Sequence, residues 1–250
     1  MNIDLLPAIF IVILVATVGS TIQRVTGFGF GIFAMLFLTR IISVYGEANA
    51  LSGLLSFTST LIVALSHAKK VDWKNLLFPC IGFAVISVPS ILLMKKLDNR
   101  VLLIMLGVAL ILLSGYMFFF SSKIKIKPSP FTGLAAGGFS GILGGIFSMG
   151  GPPVVIYFMQ SEGDDKDRYL ATIQMYFLLS NVYGTTVKAI NGFITKDVLI
   201  LAAFGTVGMI AGIFIGKLIF KKLRVDILRR VVYCFMAVAG VVNIVSAILK

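Results

Sequence analysis

The chain has 250 residues, of which 58% are hydrophobic and 13% are charged, and its mean hydropathy is +1.03. Soluble domains carry about 25% charged residues, so this composition excludes a soluble enzyme or binding module and predicts one polytopic membrane domain over 1–250. The net charge of +12 does not indicate nucleic-acid binding, because the basic residues are scattered through short loops, where they orient membrane helices.

Ten apolar segments are predicted to form helices. In the first half they cover 5–22, 28–43, 46–66, 75–94 and 101–121. In the second half they cover 131–147, 152–160, 169–190, 197–220 and 227–249. A basic linker with two prolines, 123–130, joins the halves, which we interpret as duplicated repeats over 1–122 and 131–250. The predicted fold class is therefore an all-α polytopic membrane protein.

A glycine-rich stretch, 23–31, interrupts the apolar pattern between the first two segments. Glycines at alternate positions each destabilise a helix by about 1 kcal/mol relative to alanine, so we expect the helix to break here. Irregular backbone at membrane depth is tolerated only where it is buried in protein or lines a cavity. A similar stretch, 139–153, follows about 120 residues later, and interruptions at matching places in two halves are typical of a transporter's binding site.

The length of the first two segments predicts how the halves are oriented. Together they cover 5–43, about 58 Å as helix, which is too long for one crossing of a core of about 30 Å. Each half therefore begins with two spans or with a re-entrant hairpin, and three spans follow, which gives about 8–10 membrane segments. Both alternatives invert the second half relative to the first.

The basic residues support this inverted-topology repeat. Of the 22 Lys and Arg residues, fourteen fall on one side and seven on the other, with Arg24 inside the hairpin. The positive-inside rule then places both termini on the non-cytoplasmic side of the membrane.

Several motifs resemble those of the TauE/SafE family of sulfite exporters, also called the four-toluene-sulfonate uptake permease family. They are the two glycine-rich stretches, a Val-Asp-Trp-Lys loop at 71–74 and Lys-Lys-Leu turns at 95–97 and 221–223. The resemblance covers the whole chain, although the first stretch lacks the adjacent glycines that are commoner in the family. It implies a bacterial or archaeal inner-membrane carrier of sulfite, sulfoacetate or related sulfonates.

Candidate anion-binding residues lie at the two interruptions. Half-helix N-termini carry about half a positive charge and bind oxyanions. Pro152 suits the first turn of a helix that restarts after Gly151, so we expect this helix to direct its N-terminus at the substrate. The guanidinium of Arg24 matches a sulfonate or sulfite group. The predicted substrate-binding residues are Gln23, Arg24, Thr26, Gly27, Gly29, Asn49, Ser52, Ser148, Gly150, Gly151, Gln174 and Asn181.

The predicted helices 46–66 and 169–190 each carry a polar stripe on one face. The stripes comprise Asn49, Ser52, Ser56 and Ser59 on the first helix and Gln174, Asn181, Thr185 and Lys188 on the second. We expect them to line a cavity between the halves. The alternatives are that these residues only form interhelical hydrogen bonds, that the glycines only permit close helix contacts, and that Arg24 caps a hairpin tip or extends to an interface.

The ten acidic residues lie in loops or at segment ends, which argues against a carboxylate proton relay. Export of an anion can instead draw on an inside-negative potential, about 2.3 kcal/mol per charge per 100 mV. The sequence contains no nucleophile–base pair, metal cluster or nucleotide motif, so it predicts neither an enzyme nor a cofactor. The expected partners are a small anion and the lipid bilayer, with a homodimer as one option. The competing hypothesis is a non-transporting scaffold subunit of a larger membrane assembly.

Overall fold

The computed structural model describes residues 5–119, 126–163, 165–220 and 225–249, and only the backbone of Val25, Thr26, 219–220 and 225–232. These ranges contain ten α-helices and one 3₁₀ turn, with no strand among them. The helices are α1 (Leu5–Thr26), α2 (Phe30–Ile41), α3 (Tyr45–His67), α4 (Trp73–Lys96), α5 (Asn99–Phe119), α6 (Pro130–Phe147), α7 (Gly151–Ser161), α8 (Lys166–Ile190), α9 (Lys196–Phe220) and α10 (Val225–Leu249). The predicted all-α polytopic membrane fold is confirmed.

Six of the described helices, α1, α3, α4, α5, α6 and α9, are long and apolar enough to cross a membrane. By contrast, α2 has 12 residues and α7 has 11, about 16–18 Å of helix against a hydrocarbon core of about 30 Å. These two elements are half-helices. Of the two models that the sequence left open, this length favours the re-entrant hairpin.

The observed helix ends lie close to the predicted ones, and the largest difference is at α1. The helix was expected to end at residue 22, but it continues to Thr26. Gln and Arg are good helix formers, so the polar residues that open the first stretch extend the helix instead of breaking it. The predicted linker is described only from residue 126, and the turn 221–223 lies outside the described residues.

Side-chain caps fix the start of several helices. Asp72 precedes α4, and its Oδ1 accepts hydrogen bonds from the amides of Lys74 at 3.0 Å and Asn75 at 3.1 Å. Ser129 forms a capping box with Thr132 at the start of α6. Such caps satisfy amides that have no partner inside the helix. They explain why α4 and α6 begin a residue or two before the apolar pattern does.

Helices of one half lie mainly against helices of the other. α4 packs along α6 and α1 along α9, and these pairs correspond to each other when the halves are exchanged. The same holds for α3 with α9 and α8 with α4. Buried apolar side chains form one cluster that spans α2–α8 and α10 and a second among α1, α2, α3 and α9.

The equivalent helices α3 and α8 contact each other and run antiparallel. Near the start of α3, Asn49 lies beside Lys188 near the end of α8, and further along α3, Thr60 lies beside Asn181. Antiparallel equivalent helices are what an inverted repeat requires. The inverted-topology repeat itself stays a prediction.

Glycines allow the two long interhelical contacts to be close. On α6, glycines recur every fourth residue, and a Cβ at Gly137 would overlap the carbonyl oxygen of Pro79 in α4. On α9, a Cβ at Gly212 would overlap the side chain of Ser20 in α1. Small residues on one face let membrane helices approach this closely, so these glycines serve contacts between helices.

Candidate functional site

Both predicted interruptions are breaks in the helical backbone. The first separates α1 from α2, where Gly27 has φ 86° and Gly29 has φ 103°, values that favour glycine. The second follows α6 at Ser148. Within the described ranges, Ser148 is the non-glycine residue with a positive φ, 57°. The amides of Ser148 and Met149 bond back to α6 carbonyls, each at 3.1 Å, which closes the helix end.

The two breaks contact each other. A Cβ at Gly31, the second residue of α2, would overlap the carbonyl oxygen of Ser148. A Cβ at Gly151, where α7 starts, would lie 3.3 Å from the Cβ of Phe28. The two breaks therefore lie in direct contact, and no larger residue fits at Gly31.

A cavity of about 80 Å³ lies between the breaks and the facing parts of α3, α4 and α8. Aromatic rings and glycine backbone form much of its wall. Its polar side chains include Gln23, Ser56, Ser140, Ser148, Asn181, Thr185 and Lys188. Such an apolar wall with a few convergent polar groups is typical of a site for a small ligand.

The predicted site residues divide into two groups. Those that line the cavity are Gln23, Gly29, Ser148, Gly150, Gly151 and Asn181. Those that lie outside its lining are Arg24, Gly27, Asn49, Ser52 and Gln174. The side chain of Thr26 lies outside the described residues. Ser52 is fully buried, and its hydroxyl has no hydrogen-bond partner among the described residues.

Asn49 and Gln174 hold the breaks from the opposite half. The side-chain amide of Asn49 donates to the carbonyl of Ile146 at 2.6 Å, and its Oδ1 accepts from the hydroxyl of Ser148 at 2.8 Å. Gln174 donates to the carbonyl of Gly27 at 3.3 Å. Each polar stripe therefore satisfies backbone or hydroxyl groups that a broken helix leaves without an intrahelical partner.

Arg24, which was predicted to bind the substrate, lies outside the cavity lining, whereas Lys188 lines the cavity as expected for its polar stripe. The stem of Arg24 lies against α9, where a Cβ at Gly216 would come within 2.8 Å of the Arg24 Cβ. Lys188 is 4% exposed, and its Nζ lies 3.4 Å from the carbonyl oxygen of Asn49. Among the described residues that line the cavity, Lys188 is the one with an ionisable basic or acidic side chain of the Lys, Arg, Asp or Glu type.

Lys188 was left out of the predicted binding set although it belongs to the second polar stripe. A lysine near a helix end usually extends its ammonium to water, and α8 ends only two residues later, at Ile190. The available signal was its spacing of three and seven residues from Thr185 and Asn181, which puts all three on one helical face.

Helices broken on both sides of a cavity with a few convergent polar groups, within a bundle of membrane-spanning helices, are typical of a membrane transporter. The chain belongs to the family described as sulfite exporter TauE/SafE, whose family model matches residues 11–242. The predicted family is thus confirmed, and membership places this multi-pass protein among transporters and not among enzymes.

A curated relative is the "Probable sulfite/organosulfonate exporter TauE" of Cupriavidus necator. The two sequences are 24% identical over 210 residues, which covers 80% of this chain and 79% of the relative. No solved structure gives a significant match to the chain.

Proposed function

We propose that the protein is a secondary transporter that exports small sulfur-containing anions, such as sulfite, sulfoacetate or related sulfonates, across the cytoplasmic membrane of a prokaryote. Membership of the TauE/SafE family and the name of the Cupriavidus necator relative support the substrate class. In this proposal the anion binds near mid-membrane between the two breaks. Both termini lie on the non-cytoplasmic side, and the halves form an inverted repeat.

The observation that carries the proposal is the composition of the cavity wall. It contains the amine of Lys188, which is an ammonium when protonated, and among the described lining residues no carboxylate accompanies it. A buried charge is strongly disfavoured unless it is paired. An anion that enters the cavity supplies the missing partner, whereas a cation would add to the unfavourable charge.

The N-terminus of α2 supplies further donors to the same cavity. Gly29, Phe30, Gly31 and Ile32 all line it, and the first amides of a helix have no intrahelical acceptor. The intrahelical ladder starts with the amide of Phe33, which donates to the carbonyl of Gly29 at 3.0 Å. The positive end of the α2 dipole therefore lies at the cavity.

The sequence predicted that α7 presents backbone amides to the substrate. The structure supports this role better for α2 than for α7. Residues 152 and 153 at the start of α7 are both proline, and proline has no backbone N–H. The first turn of α7 thus retains fewer amides than the first turn of α2. We propose that α2 donates to the anion and that α7 shapes the opposite wall of the cavity.

The cavity size favours the smallest anions of the proposed class. The cavity holds about 80 Å³, and one water molecule needs about 10–15 Å³ of such space. The cavity thus accommodates a few water-sized groups. Sulfite fits this space, whereas a longer sulfonate requires the walls to move apart.

Flux from proteoliposomes tests the proposal. Purified protein is reconstituted with sulfite inside the vesicles, potassium and valinomycin set the membrane potential, and sulfite release is followed with a colorimetric assay. We expect protein-dependent release that is faster when the sulfite-filled compartment is negative, because the potential drives the anion out. A scaffold subunit would give no release above that of empty liposomes, and flux that ignores the potential would exclude potential-driven export.

A further inference from the structure

We infer that Lys188 is the charged residue that binds the transported anion, through its positive charge and not merely through a hydrogen bond. This inference rests on the proposed function and names the residue that gives the site its selectivity for anions. It was outside the predicted binding set. Lys188 lies at the cavity because α8 packs against α3, a helix more than a hundred residues away in sequence.

The surroundings of Lys188 leave room for the ammonium on the cavity side. Gly53 of α3 faces it, and a Cβ at this position would lie 3.5 Å from Nζ and 3.1 Å from the Thr185 hydroxyl oxygen. Gly53, Thr185 and Lys188 all line the cavity. A Cβ at Gly53 would thus be tight against the Thr185 hydroxyl and in ordinary contact with the Lys188 amine.

The charge of Lys188 is not balanced within the described part of the chain. An ammonium has three N–H donors, and the hydrogen bond found for it there goes to the carbonyl of Asn49 at 3.4 Å, a long contact. The described ion pairs, Lys70–Asp167, Arg168–Asp72 and Arg168–Glu162, involve other residues. Two donors of Lys188 are therefore available for oxygen atoms of an anion.

A neighbouring hydroxyl in the cavity is suited to complete the coordination of an oxyanion. The hydroxyl of Thr185 has no hydrogen-bond partner among the described residues. Thr185 precedes Lys188 by three residues on α8, so the hydroxyl and the ammonium share a helical face. A bound oxyanion can accept from both, which gives it charge compensation and orientation from one element.

A structural role is the alternative, in which Lys188 only joins α8 to Asn49 of α3. The two roles differ in what happens when the charge is removed. If Lys188 is structural, Lys188→Met breaks a contact between helices and lowers the melting temperature of the ligand-free protein. If Lys188 awaits an anion, Lys188→Met relieves an unpaired buried charge, and such replacements are often neutral or stabilising.

The test measures sulfite binding and thermal unfolding of the full-length protein in nanodiscs, for wild type, Lys188→Met, Lys188→Gln and Lys188→Arg. Lys196→Met is the matched control, because Lys196 is exposed at the start of α9, close to Lys188 in sequence. We expect Lys188→Met and Lys188→Gln to weaken sulfite binding by about tenfold or more, since each tenfold corresponds to about 1.4 kcal/mol. Lys188→Arg should retain most binding, and Lys196→Met should bind as wild type does.

The outcomes separate this inference from the proposed function. If wild type binds neither sulfite nor sulfoacetate, the proposed function fails and the inference fails with it. If wild type binds and Lys188→Met binds equally well, only the inference is wrong. A lower melting temperature of ligand-free Lys188→Met and Lys188→Gln, or failure of both to fold, would assign Lys188 a structural role and overturn the inference.

Discussion

Ser148 combines a left-handed backbone with a specific hydrogen bond. Its φ is 57°, a conformation that costs residues other than glycine about 1–2 kcal/mol. Its hydroxyl donates to Asn49 Oδ1 at 2.8 Å. The residue with the strained backbone therefore also joins the end of α6 to α3. Non-glycine residues in this region often mark functional sites.

Replacing Ser148 by glycine or by alanine separates these two contributions. Both substitutions remove the hydroxyl and with it about 1 kcal/mol of hydrogen bonding, but only glycine relieves the backbone strain. We expect Ser148→Gly to be about 1 kcal/mol more stable than Ser148→Ala, measured by denaturant unfolding in detergent. Equal stability of the two variants would show that the conformation is not strained.

Gly31 is the residue whose replacement should most directly separate the two breaks. The Cβ of Gly31→Ala would overlap the carbonyl oxygen of Ser148. The position of the Cβ is fixed by its own backbone and the oxygen is a backbone atom, so relief of the overlap requires the backbone to shift. Overpacking of this kind costs about 1–3 kcal/mol, and we expect a lower melting temperature together with loss of flux in proteoliposomes.

Gly115→Ala in α5 is the matched control for this substitution. A Cβ at Gly115 meets no atom within 4 Å, and alanine is about 0.8–1.0 kcal/mol better than glycine inside a helix. We expect unchanged or slightly higher stability and normal flux. A Gly31→Ala variant as stable and active as Gly115→Ala would contradict the contact between the breaks.

At the scale of elements, α7 is a half-helix held at both ends. At its start, the carbonyl of Gly150 accepts from the hydroxyl of Ser140 at 2.6 Å. At its end, Glu162 accepts from the side-chain amide of Asn75 at 3.1 Å and lies 2.7 Å from Arg168 Nε. These contacts fix both ends of the helix, in addition to the burial of its side chains in the apolar cluster.

Arg168 joins three elements, since it also pairs with Asp72, the N-cap of α4. Removing its charge in Arg168→Met leaves Glu162, whose side chain is fully buried, without its cation. We expect destabilisation of about 1–3 kcal/mol, measured as a lower melting temperature. Lys166→Met, two residues away and exposed, should unfold as wild type does, and equal effects of the two variants would show that the cluster contributes nothing specific.

At the scale of the whole molecule, the two halves build one site together. Asn49 from the first half holds the second break, and Gln174 from the second half holds the first. When Lys188 is protonated, the ligand-free cavity carries one positive charge, which a monovalent anion neutralises on binding. The empty and the loaded transporter therefore differ in the cost of closing the site away from water.

This difference predicts that anion exchange is faster than net efflux. With Lys188 protonated, reorientation of the empty transporter carries an unpaired buried ammonium through a closed state, whereas the loaded one carries a neutral pair. A barrier difference of about 1.4 kcal/mol corresponds to about a tenfold difference in rate. We expect release of labelled sulfite from proteoliposomes to accelerate about tenfold when unlabelled sulfite is added outside. Equal rates with and without external sulfite would contradict this mechanism.

Local properties of the chain determined its class and its helix pattern. Hydropathy belongs to each residue separately, so the all-α membrane fold and most helix ends could be predicted without knowledge of any contact. The breaks at Gly27–Gly29 and after Phe147 were equally predictable, because glycine and proline act on the backbone where they stand. α1 extended four residues beyond its predicted end because Gln23 and Arg24 are compatible with helix.

The tertiary structure alone decided which polar groups face the cavity. Arg24 and Lys188 are both basic residues near a helix end, yet one lies against Gly216 and the other beside Asn49. The rotation of a helix about its axis depends on the neighbour it packs against, and these neighbours are more than a hundred residues away in sequence. The sequence by itself therefore determined that the chain is a membrane bundle with two broken helices, whereas contacts between the halves decided that Lys188 lies at the cavity and Arg24 does not.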